Sequence, residues 1–251
     1  MNQQSSAEGP LRTEAEQTAR TVLADLFVSS TDDIATRLDQ FPKYIRRQQL
    51  TRLMALYEVF KTALAVKGSL INCGVFRGFS LMAFAHFSAI LEPTNLTRRI
   101  YGFDTFKGFA SVGPQDKSAG RITEPGELAA ASYDELVALI RAHDTNRYLG
   151  HIEKVRLIPG DAVDTIPAFV NENPHLLVSL LFLDFDLYGP TKAALEHFVP
   201  RMPKGAIIAF DELDNPLWPG ETIALLETVG LQRLQIERLQ YDPYIGFARI
   251  G

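Results

Sequence analysis

Apolar positions in the first quarter of the chain recur at three- and four-residue steps. From Leu11 to about Val66 this spacing predicts amphipathic helices, and Gly68 supplies a stop. Residues 1–10 are polar, and we expect them to be frayed. The pattern therefore predicts an N-terminal helical extension over residues 1–67.

Beyond this extension the pattern changes to short apolar runs separated by helical stretches. Five runs predict strands: Ser69–Val75, Arg99–Phe103, Val155–Pro159, Leu177–Leu183 and Gly205–Phe210. The stretches between them predict helices: Ser80–Leu91, Tyr133–Leu149, Ala162–Asn171 and Thr191–Val199. Continuous apolar runs are typical of parallel strands that are buried on both faces. The alternation of strands and helices predicts an α/β fold with a doubly wound, mostly parallel sheet.

The end of the chain departs from this alternation. After a helix near Glu221–Val229, two runs at Gln232–Leu239 and Tyr244–Ile250 are joined by a short turn that contains a proline. They predict a closing hairpin with at least one antiparallel strand, which brings the sheet to seven strands. Residues 68–251 are thus expected to form one domain.

One connection within this domain is unusually long. Residues 108–132 are rich in Gly, Ala, Ser and Pro, and they carry no clear periodicity. Connections of this length are usually functional lids or disordered segments. We expect a lid.

Composition and charge narrow the classes of partner. The 251 residues carry 25 Lys and Arg against 30 Asp and Glu, so the net charge is −5. Because nucleic acids and anionic membranes are bound through excess positive charge, we expect neither as a partner. The single cysteine, Cys73, cannot form an intramolecular disulfide, which favours a reducing cytoplasm. The start of the chain has no apolar core of signal-peptide type, and the longest apolar stretch, around Leu176–Leu183, is too short to span a bilayer.

Basic residues cluster in the predicted N-terminal helices. They are Lys43, Arg46, Arg47 and Arg52. One interpretation is a solvated helix face. The other is a clamp for an anionic group, since arginine is suited to bidentate phosphate contacts. The pattern leaves both open.

A glycine-containing turn, Asn72-Cys-Gly-Val-Phe-Arg-Gly-Phe-Ser80, follows the first predicted strand and opens a helix. Glycines let the backbone pass close to a ligand, and the helix N-terminus offers N–H groups to a carboxylate or phosphate. Its spacing is not that of the dinucleotide fingerprint, which argues against an NAD-binding protein. Glycines at such a turn can also be purely structural.

Single acidic residues follow the second and third predicted strands. Asp104, in Gly102-Phe-Asp-Thr-Phe-Lys-Gly108, stands where doubly wound sheets receive the ribose hydroxyls of a nucleoside, although it could also cap a turn. Asp161 could reach an adenine amino group or serve as the N-cap of the following helix.

Four acids follow the fourth and fifth predicted strands. Asp184 and Asp186 come directly after one strand, and Asp211 and Glu212 after the next. Because parallel strands end at the same edge of a sheet, these carboxylates should lie close together and repel one another. A hard divalent cation, Mg²⁺ above all, would resolve that repulsion. No cluster of His and Cys accompanies them, which argues against Zn²⁺.

Together these motifs resemble the macrocin O-methyltransferase (TylF/MycF-like) family, from about Arg46 to Glu227. The resemblance implies a class I methyltransferase with a Rossmann-like sheet, which uses S-adenosylmethionine and a divalent metal to methylate sugars. The family's pattern differs at three places, with an acid where Asn72 stands, a glycine where Phe79 stands, and Asp-Asp where Asp211-Glu212 stands.

The resemblance also implies roles for individual residues. Asp184, Asp211 and Glu212 would ligate the metal, and Asp184 or Asp186, or a histidine not located here, would accept the proton. Cofactor contacts would come from the three strand ends: Gly74, Val75, Ser80, Asp104, Thr105, Phe106, Asp161 and Ala162. The acceptor would be bound by the N-terminal helices, the lid, and the side chains of Arg46, Arg47 and Tyr188.

The implied substrate is a deoxysugar in antibiotic biosynthesis, first of all the 3′-hydroxyl of a TDP-linked rhamnose-type sugar. The pyrophosphate of such a substrate would give the basic cluster a purpose. A glycosylated macrolide or a catechol-like small molecule is the enzymatic alternative, and a non-catalytic nucleotide-binding protein is the alternative outside enzymes. We further expect a cytoplasmic homo-oligomer.

Overall fold

The computed structural model describes residues 13–130 and 132–251, so the expectation for residues 1–10 lies outside the described residues. The chain divides into two compact units, with the division between Met54 and Ala55. That division falls within helix α3, Arg47–Ala63, whereas the predicted extension ended after this helix.

The N-terminal unit is helical, as predicted. It contains α1 (Glu14–Ser29), α2 (Ile34–Asp39), a short 3-10 turn and the first part of α3. Thr13 caps α1 by accepting a hydrogen bond from the Glu16 N–H at 3.3 Å, and the Glu16 carboxylate accepts one from the Thr13 N–H at 3.0 Å. This reciprocal arrangement satisfies two of the N–H groups that a helix start leaves without partners.

The second unit is built on a seven-stranded sheet in the order β3-β2-β1-β4-β5-β7-β6. Its strands are β1 (Ser69–Cys73), β2 (Ile100–Asp104), β3 (Val155–Pro159), β4 (Val178–Leu183), β5 (Ile207–Phe210), β6 (Glu237–Arg238) and β7 (Gly246–Arg249). Strands β1 to β5 pair in parallel, and β7 runs antiparallel to both β5 and β6. The predicted mostly parallel sheet is confirmed, and the strand order reverses between β1 and β4.

Helices cover both faces of this sheet. They are the part of α3 from Ala55 onward and, beyond it, α4 (Phe79–Leu91), α5 (Tyr133–Thr145), α6 (Ala162–Glu172), α7 (Tyr188–Phe198) and α8 (Gly220–Thr228). On one face, the ring of Phe84 in α4 lies 5.5 Å from that of Phe182 in β4. On the other face, the ring of Phe103 in β2 lies 5.3 Å from that of Phe169 in α6 and 5.6 Å from that of Phe198 in α7. Among residues 13–130 and 132–251, no helix is both long and apolar enough to cross a membrane.

The hairpin and one helix are shorter than predicted. Strand β6 has only two residues, and the Asp242 carboxylate accepts hydrogen bonds from the N–H groups of Tyr244 and Ile245 at 3.0 and 2.8 Å, which turns the chain before β7. Helix α5 ends at Thr145 rather than Leu149, because Leu149 has a left-handed φ of 56° and Gly150 packs against the Asp144 carbonyl. Local side-chain and backbone contacts thus override the apolar periodicity there.

The long connection between β2 and α5 is folded on itself. The Phe109 N–H donates to the Glu127 carbonyl at 3.0 Å, and the Gly126 N–H donates back to the Phe109 carbonyl at 2.8 Å. An ion pair joins Arg121 to Glu127 within the closed segment. Its described residues, 108–130 and 132, form a compact loop of the kind that often carries function.

Candidate active site

Backbone strain is concentrated at the carboxyl ends of the parallel strands. Four non-glycine residues there have left-handed φ angles: Phe76 (50°), Phe106 (55°), Asp186 (64°) and Asp214 (59°), in the loops after β1, β2, β4 and β5. Such conformations are costly for residues with a Cβ and persist where the surrounding structure enforces them, commonly at functional sites. This edge of the sheet also contains the strand-order reversal, where ligands bind in doubly wound folds.

The glycine-containing turn after β1 is shaped by its contact with the loop after β4. Gly74 has a φ of +84°, and a Cβ on it would lie 1.9 Å from the Asp184 carbonyl oxygen. Gly78, also left-handed, is the N-cap residue of α4, whose first turn contains the buried Ser80. Close backbone approach therefore explains Gly74, and the cofactor contacts predicted for Gly74, Val75 and Ser80 stay predictions.

Asp104 holds that turn in place. One carboxylate oxygen accepts hydrogen bonds from the N–H groups of Val75 and Phe76 at 2.9 and 2.8 Å, and the other accepts one from Phe106 at 2.6 Å. Two carboxylate oxygens offer about four acceptor positions, so three backbone bonds do not exhaust them. The turn-capping alternative is thus observed, and contact with a ribose stays a prediction.

Other residues predicted to contact the cofactor also make contacts within the protein. The Thr105 hydroxyl donates to the Gly108 carbonyl at 2.5 Å, and the Phe106 ring packs 5.2 Å from that of Tyr133. Asp161 is the N-cap of α6 and accepts from the Val163 N–H at 3.0 Å, next to the buried Ala162. The N-cap alternative for Asp161 is confirmed, while contact with an adenine is untested.

The two acid-bearing loops start side by side. Strands β4 and β5 pair as far as Leu183 and Phe210, and the Asp211 N–H donates to the Leu183 carbonyl at 2.9 Å. Asp184 is fixed in the same way, because its N–H donates to the Cys73 carbonyl at 2.9 Å. The topology therefore brings both predicted acid-bearing loops to one edge, as the sequence analysis expected.

A buried carboxylate that the sequence analysis missed lies beneath these loops. Glu221, in the first turn of α8, is fully buried and accepts hydrogen bonds from the N–H groups of Phe185 at 3.2 Å and Glu212 at 3.1 Å. Burial raises the pKa of Glu221 well above its ordinary value, and the charges of Asp186, Asp211 and Glu212 raise it further. An acid in the first turn of a helix is too common for the sequence to have marked it.

The long loop is attached to the same region through a second missed acid. Asp116, which is buried, accepts from the Tyr188 N–H at 2.6 Å and from the Gly113 N–H at 2.7 Å. Farther along the loop, the Arg121 guanidinium stacks 4.1 Å from the centre of the Trp218 ring, which follows β5. The loop therefore contacts the segments that carry the predicted acids.

The residues predicted to bind the acceptor belong to different compact units. The Tyr188 hydroxyl donates to the Glu227 carboxylate at 2.5 Å and accepts from the Lys192 ammonium at 2.9 Å, so it lies between α7 and α8. Arg46 and Arg47 belong to the N-terminal unit, where exposed Arg47 lies 4.0 Å from the Glu16 carboxylate. Their substrate contacts stay predictions.

The metal prediction is supported by donor chemistry but not by side-chain arrangement. Within residues 13–130 and 132–251, no three His, Cys, Asp or Glu side chains are arranged so that they could hold a metal ion. The loops of Asp184, Asp211 and Glu212 are adjacent, and they offer carboxylate oxygens, the ligands that hard cations prefer. These oxygen donors suit Mg²⁺ chemically, and a Mg²⁺ site at this edge stays a prediction.

Comparison with known proteins identifies the family. The structure is similar over 100% of both chains to the crystal structure of CalS11, a calicheamicin methyltransferase, with a TM-score of 0.93 and 33% identity. Residues 41–224 match the family model described as macrocin-O-methyltransferase (TylF). The chain belongs to the macrocin O-methyltransferase family. The resemblance inferred from the motifs is therefore confirmed, and the matched range is close to the Arg46–Glu227 span expected for it.

Two curated relatives of the chain are also sugar O-methyltransferases. One is the 8-demethyl-8-(2,3-dimethoxy-α-L-rhamnosyl)-tetracenomycin-C 4′-O-methyltransferase of Streptomyces olivaceus, 31% identical over 65% of this chain. The other is the mycinamicin III 3″-O-methyltransferase of Micromonospora griseorubida, 29% identical over 66% of this chain. The chain spans 60% and 64% of the lengths of these relatives.

Proposed function

We propose that this protein is an S-adenosylmethionine-dependent O-methyltransferase that acts on a deoxysugar, first of all on the 3′-hydroxyl of a TDP-linked rhamnose-type sugar. The observation that carries the proposal is the full-length structural similarity to CalS11, which in its apo structure is described as a TDP-rhamnose 3′-O-methyltransferase of calicheamicin biosynthesis. The acid-bearing edge of the sheet supports it, because sugar hydroxyls need activation.

A sugar already attached to an aglycone is the second candidate substrate. The name of one curated relative describes such an acceptor, a rhamnosyl tetracenomycin, and the name of the other gives mycinamicin III as its acceptor. A catechol-like acceptor has no comparable support. A non-catalytic nucleotide-binding protein is disfavoured because it would have no need of four acids on two adjacent loops. The cytoplasmic location and the homo-oligomeric state stay predictions.

The chain's own residues would bind the substrates and accept the proton. Asp184 or Asp186 would take the proton from the sugar hydroxyl, whose oxygen is otherwise a poor nucleophile. Asp184, Asp211 and Glu212 would hold Mg²⁺, which when bound supplies a lowered hydroxyl pKa. S-adenosylmethionine supplies the electrophilic methyl group. Asp104 and Asp161 would fix the nucleoside at the ends of β2 and β3, so that the reacting atoms are held in line.

An acceptor screen tests the activity. Purified protein is incubated with isotopically labelled S-adenosylmethionine and TDP-rhamnose, a rhamnosyl macrolide or a catechol, each with Mg²⁺ or with EDTA. We expect label in TDP-rhamnose above all, and only with the metal. Transfer to the macrolide glycoside alone would select the second candidate. Cofactor binding without transfer to any acceptor would indicate the non-catalytic class.

Substitution of the acids tests the residue roles. Asp184→Asn or Asp211→Asn should abolish turnover but leave S-adenosylmethionine affinity, measured by calorimetry, nearly intact, since the metal would face the acceptor. Glu212→Asp should retain part of the activity because it restores the usual pair of the family. Glu196→Gln, on the exposed face of α7, is the matched control. Full methyl transfer in excess EDTA, with no metal copurifying, would contradict the metal-assisted reaction.

A further inference from the structure

Glu221 differs from the other acids of this edge in its surroundings. It is fully buried, and each of its two carboxylate oxygens accepts from a different loop: Oε1 from the N–H of Phe185 after β4, and Oε2 from the N–H of Glu212 after β5. A single side chain thus joins the two loops that carry the predicted acids.

The positions of these two N–H groups are informative. Each belongs to the residue that directly follows a predicted metal ligand, Phe185 after Asp184 and Glu212 after Asp211. On their other side, Asp184 and Asp211 are held by the strand ladder, through the carbonyls of Cys73 and Leu183 at 2.9 Å. Both acids therefore have a fixed backbone on each side, and Glu221 supplies the second fixed point for both.

Stability alone does not account for a carboxylate at this place. Glu221 is fully buried, and removing a carboxyl group from water is costly. An apolar side chain could fill the same volume beneath the loops. A carboxylate gives what an apolar group cannot, because it accepts two hydrogen bonds at a defined separation.

We infer that Glu221 is a positioning residue, which sets the spacing of the Asp184 and Asp211 loops and thereby the geometry in which the acids meet a cation and a sugar hydroxyl. The inference rests on the proposed function for its catalytic consequence but not for its structural one. Catalytic geometry tolerates little displacement, so loosening these loops should reduce turnover more than substrate binding.

The test compares Glu221→Gln, which keeps one acceptor oxygen, with Glu221→Leu, which keeps none, and with the exposed control Glu196→Gln. Hydrogen exchange of the Phe185 and Glu212 amides is followed in each apo protein. We expect exchange at least tenfold faster in Glu221→Gln, faster again in Glu221→Leu, and unchanged in the control. Mn²⁺ titration, with the metal alone as probe, should show about tenfold weaker binding in Glu221→Gln.

Kinetics then separates positioning from general destabilisation. In Glu221→Gln we expect kcat to fall at least tenfold, with S-adenosylmethionine affinity and the acceptor KM within about twofold of wild type. Unchanged amide exchange and Mn²⁺ affinity in Glu221→Gln would overturn the inference, even if Glu221→Leu fails to fold. If the wild-type protein shows no methyl transfer, the proposed function fails, while amide exchange still decides the role of Glu221.

Discussion

The two edges of the central sheet both bury charged side chains, but of opposite sign. At the amino ends of the strands, buried Arg98 donates to the carbonyls of Leu64 and Val66 at 3.2 and 3.0 Å, just beyond the end of α3, and pairs with Glu92 at 2.9 Å. At the carboxyl ends, buried Asp116 and Glu221 accept from loop N–H groups. At the amino edge a buried cation donates to backbone carbonyls, and at the carboxyl edge buried carboxylates accept from backbone N–H groups.

Peptide polarity explains the difference. Helices of a doubly wound sheet end near the amino ends of the strands, where their last carbonyls need donors. They start near the carboxyl ends, where free N–H groups need acceptors, and the helix dipole favours negative charge. An acid at the ligand edge is therefore not by itself a ligand residue. Asp104, Asp116, Asp161 and Glu221 all support backbone there.

The largest effect is expected from the cationic edge. Arg98→Met should lower the free energy of unfolding by about 3–5 kcal/mol, because it leaves the largely buried Glu92 without its guanidinium partner and several carbonyls without a donor. Urea denaturation measures it. Arg156→Met, in an exposed pair with Glu153, should cost less than about 1 kcal/mol. Equal losses in the two variants would show that buried Arg98 stabilises the protein no more than the exposed Arg156 does.

Lys154, which precedes β3 at the same edge of the sheet, should make the free energy of unfolding depend on pH. Burial lowers its pKa from 10.5 to about 8, while its ammonium donates to the Asn95 carbonyl at 3.0 Å. Between these values the unfolded chain holds a proton that the folded chain has lost, so stability rises with pH from about 8 to 10.5. The gain is up to about 3 kcal/mol at roughly 1.4 kcal/mol per pKa unit.

Comparison of Lys154→Met with wild type isolates this effect. The difference between their free energies of unfolding should change in favour of wild type as the pH rises through that window. Lys204→Met, at an exposed position, should follow wild type at every pH. A difference that does not vary with pH would show that Lys154 keeps its ordinary pKa in the folded protein.

Apolar patterns could be predicted from the sequence, whereas polar contacts with the backbone could not. Segments with a clear apolar pattern are predicted accurately, and β3 has the predicted bounds, Val155–Pro159. The prediction that both acid-bearing loops lie at one edge of the sheet is also confirmed. Local polar contacts shortened the hairpin, where Asp242 turns the chain. Glu221 and Asp116 were missed because each accepts from one backbone N–H group far along the chain, 36 and 72 residues away, which no sequence pattern marks.

At the carboxylate edge, Asp104→Ala should weaken S-adenosylmethionine binding by about 1–3 kcal/mol, since it leaves three N–H groups of the turn without acceptors and removes a partner for the ribose. Calorimetry measures the affinity. Asp164→Ala, an exposed first-turn acid of α6, is the control. An affinity equal to wild type would remove Asp104 from the cofactor site and leave it as a turn cap.

The smallest expected effect concerns the attachment of the long loop. Asp116→Asn keeps one acceptor oxygen but turns an amide N–H₂ toward one of the two N–H groups that the carboxylate now serves. The amides of Tyr188 and Gly113 should therefore exchange about tenfold faster, which corresponds to about 1.4 kcal/mol of local stability.

The same measurement examines the loop as a lid. In wild type, we expect exchange over residues 108–130 to slow when cofactor and acceptor are both bound, because exclusion of water favours methyl transfer. In Asp116→Asn the slowing should be weaker, since the loop has lost its buried link to the start of α7. Asp134→Asn, exposed in the first turn of α5, should match wild type. If exchange does not change with either ligand, the loop is a fixed wall of the site, and the role of Asp116 is to support the backbone at the start of α7.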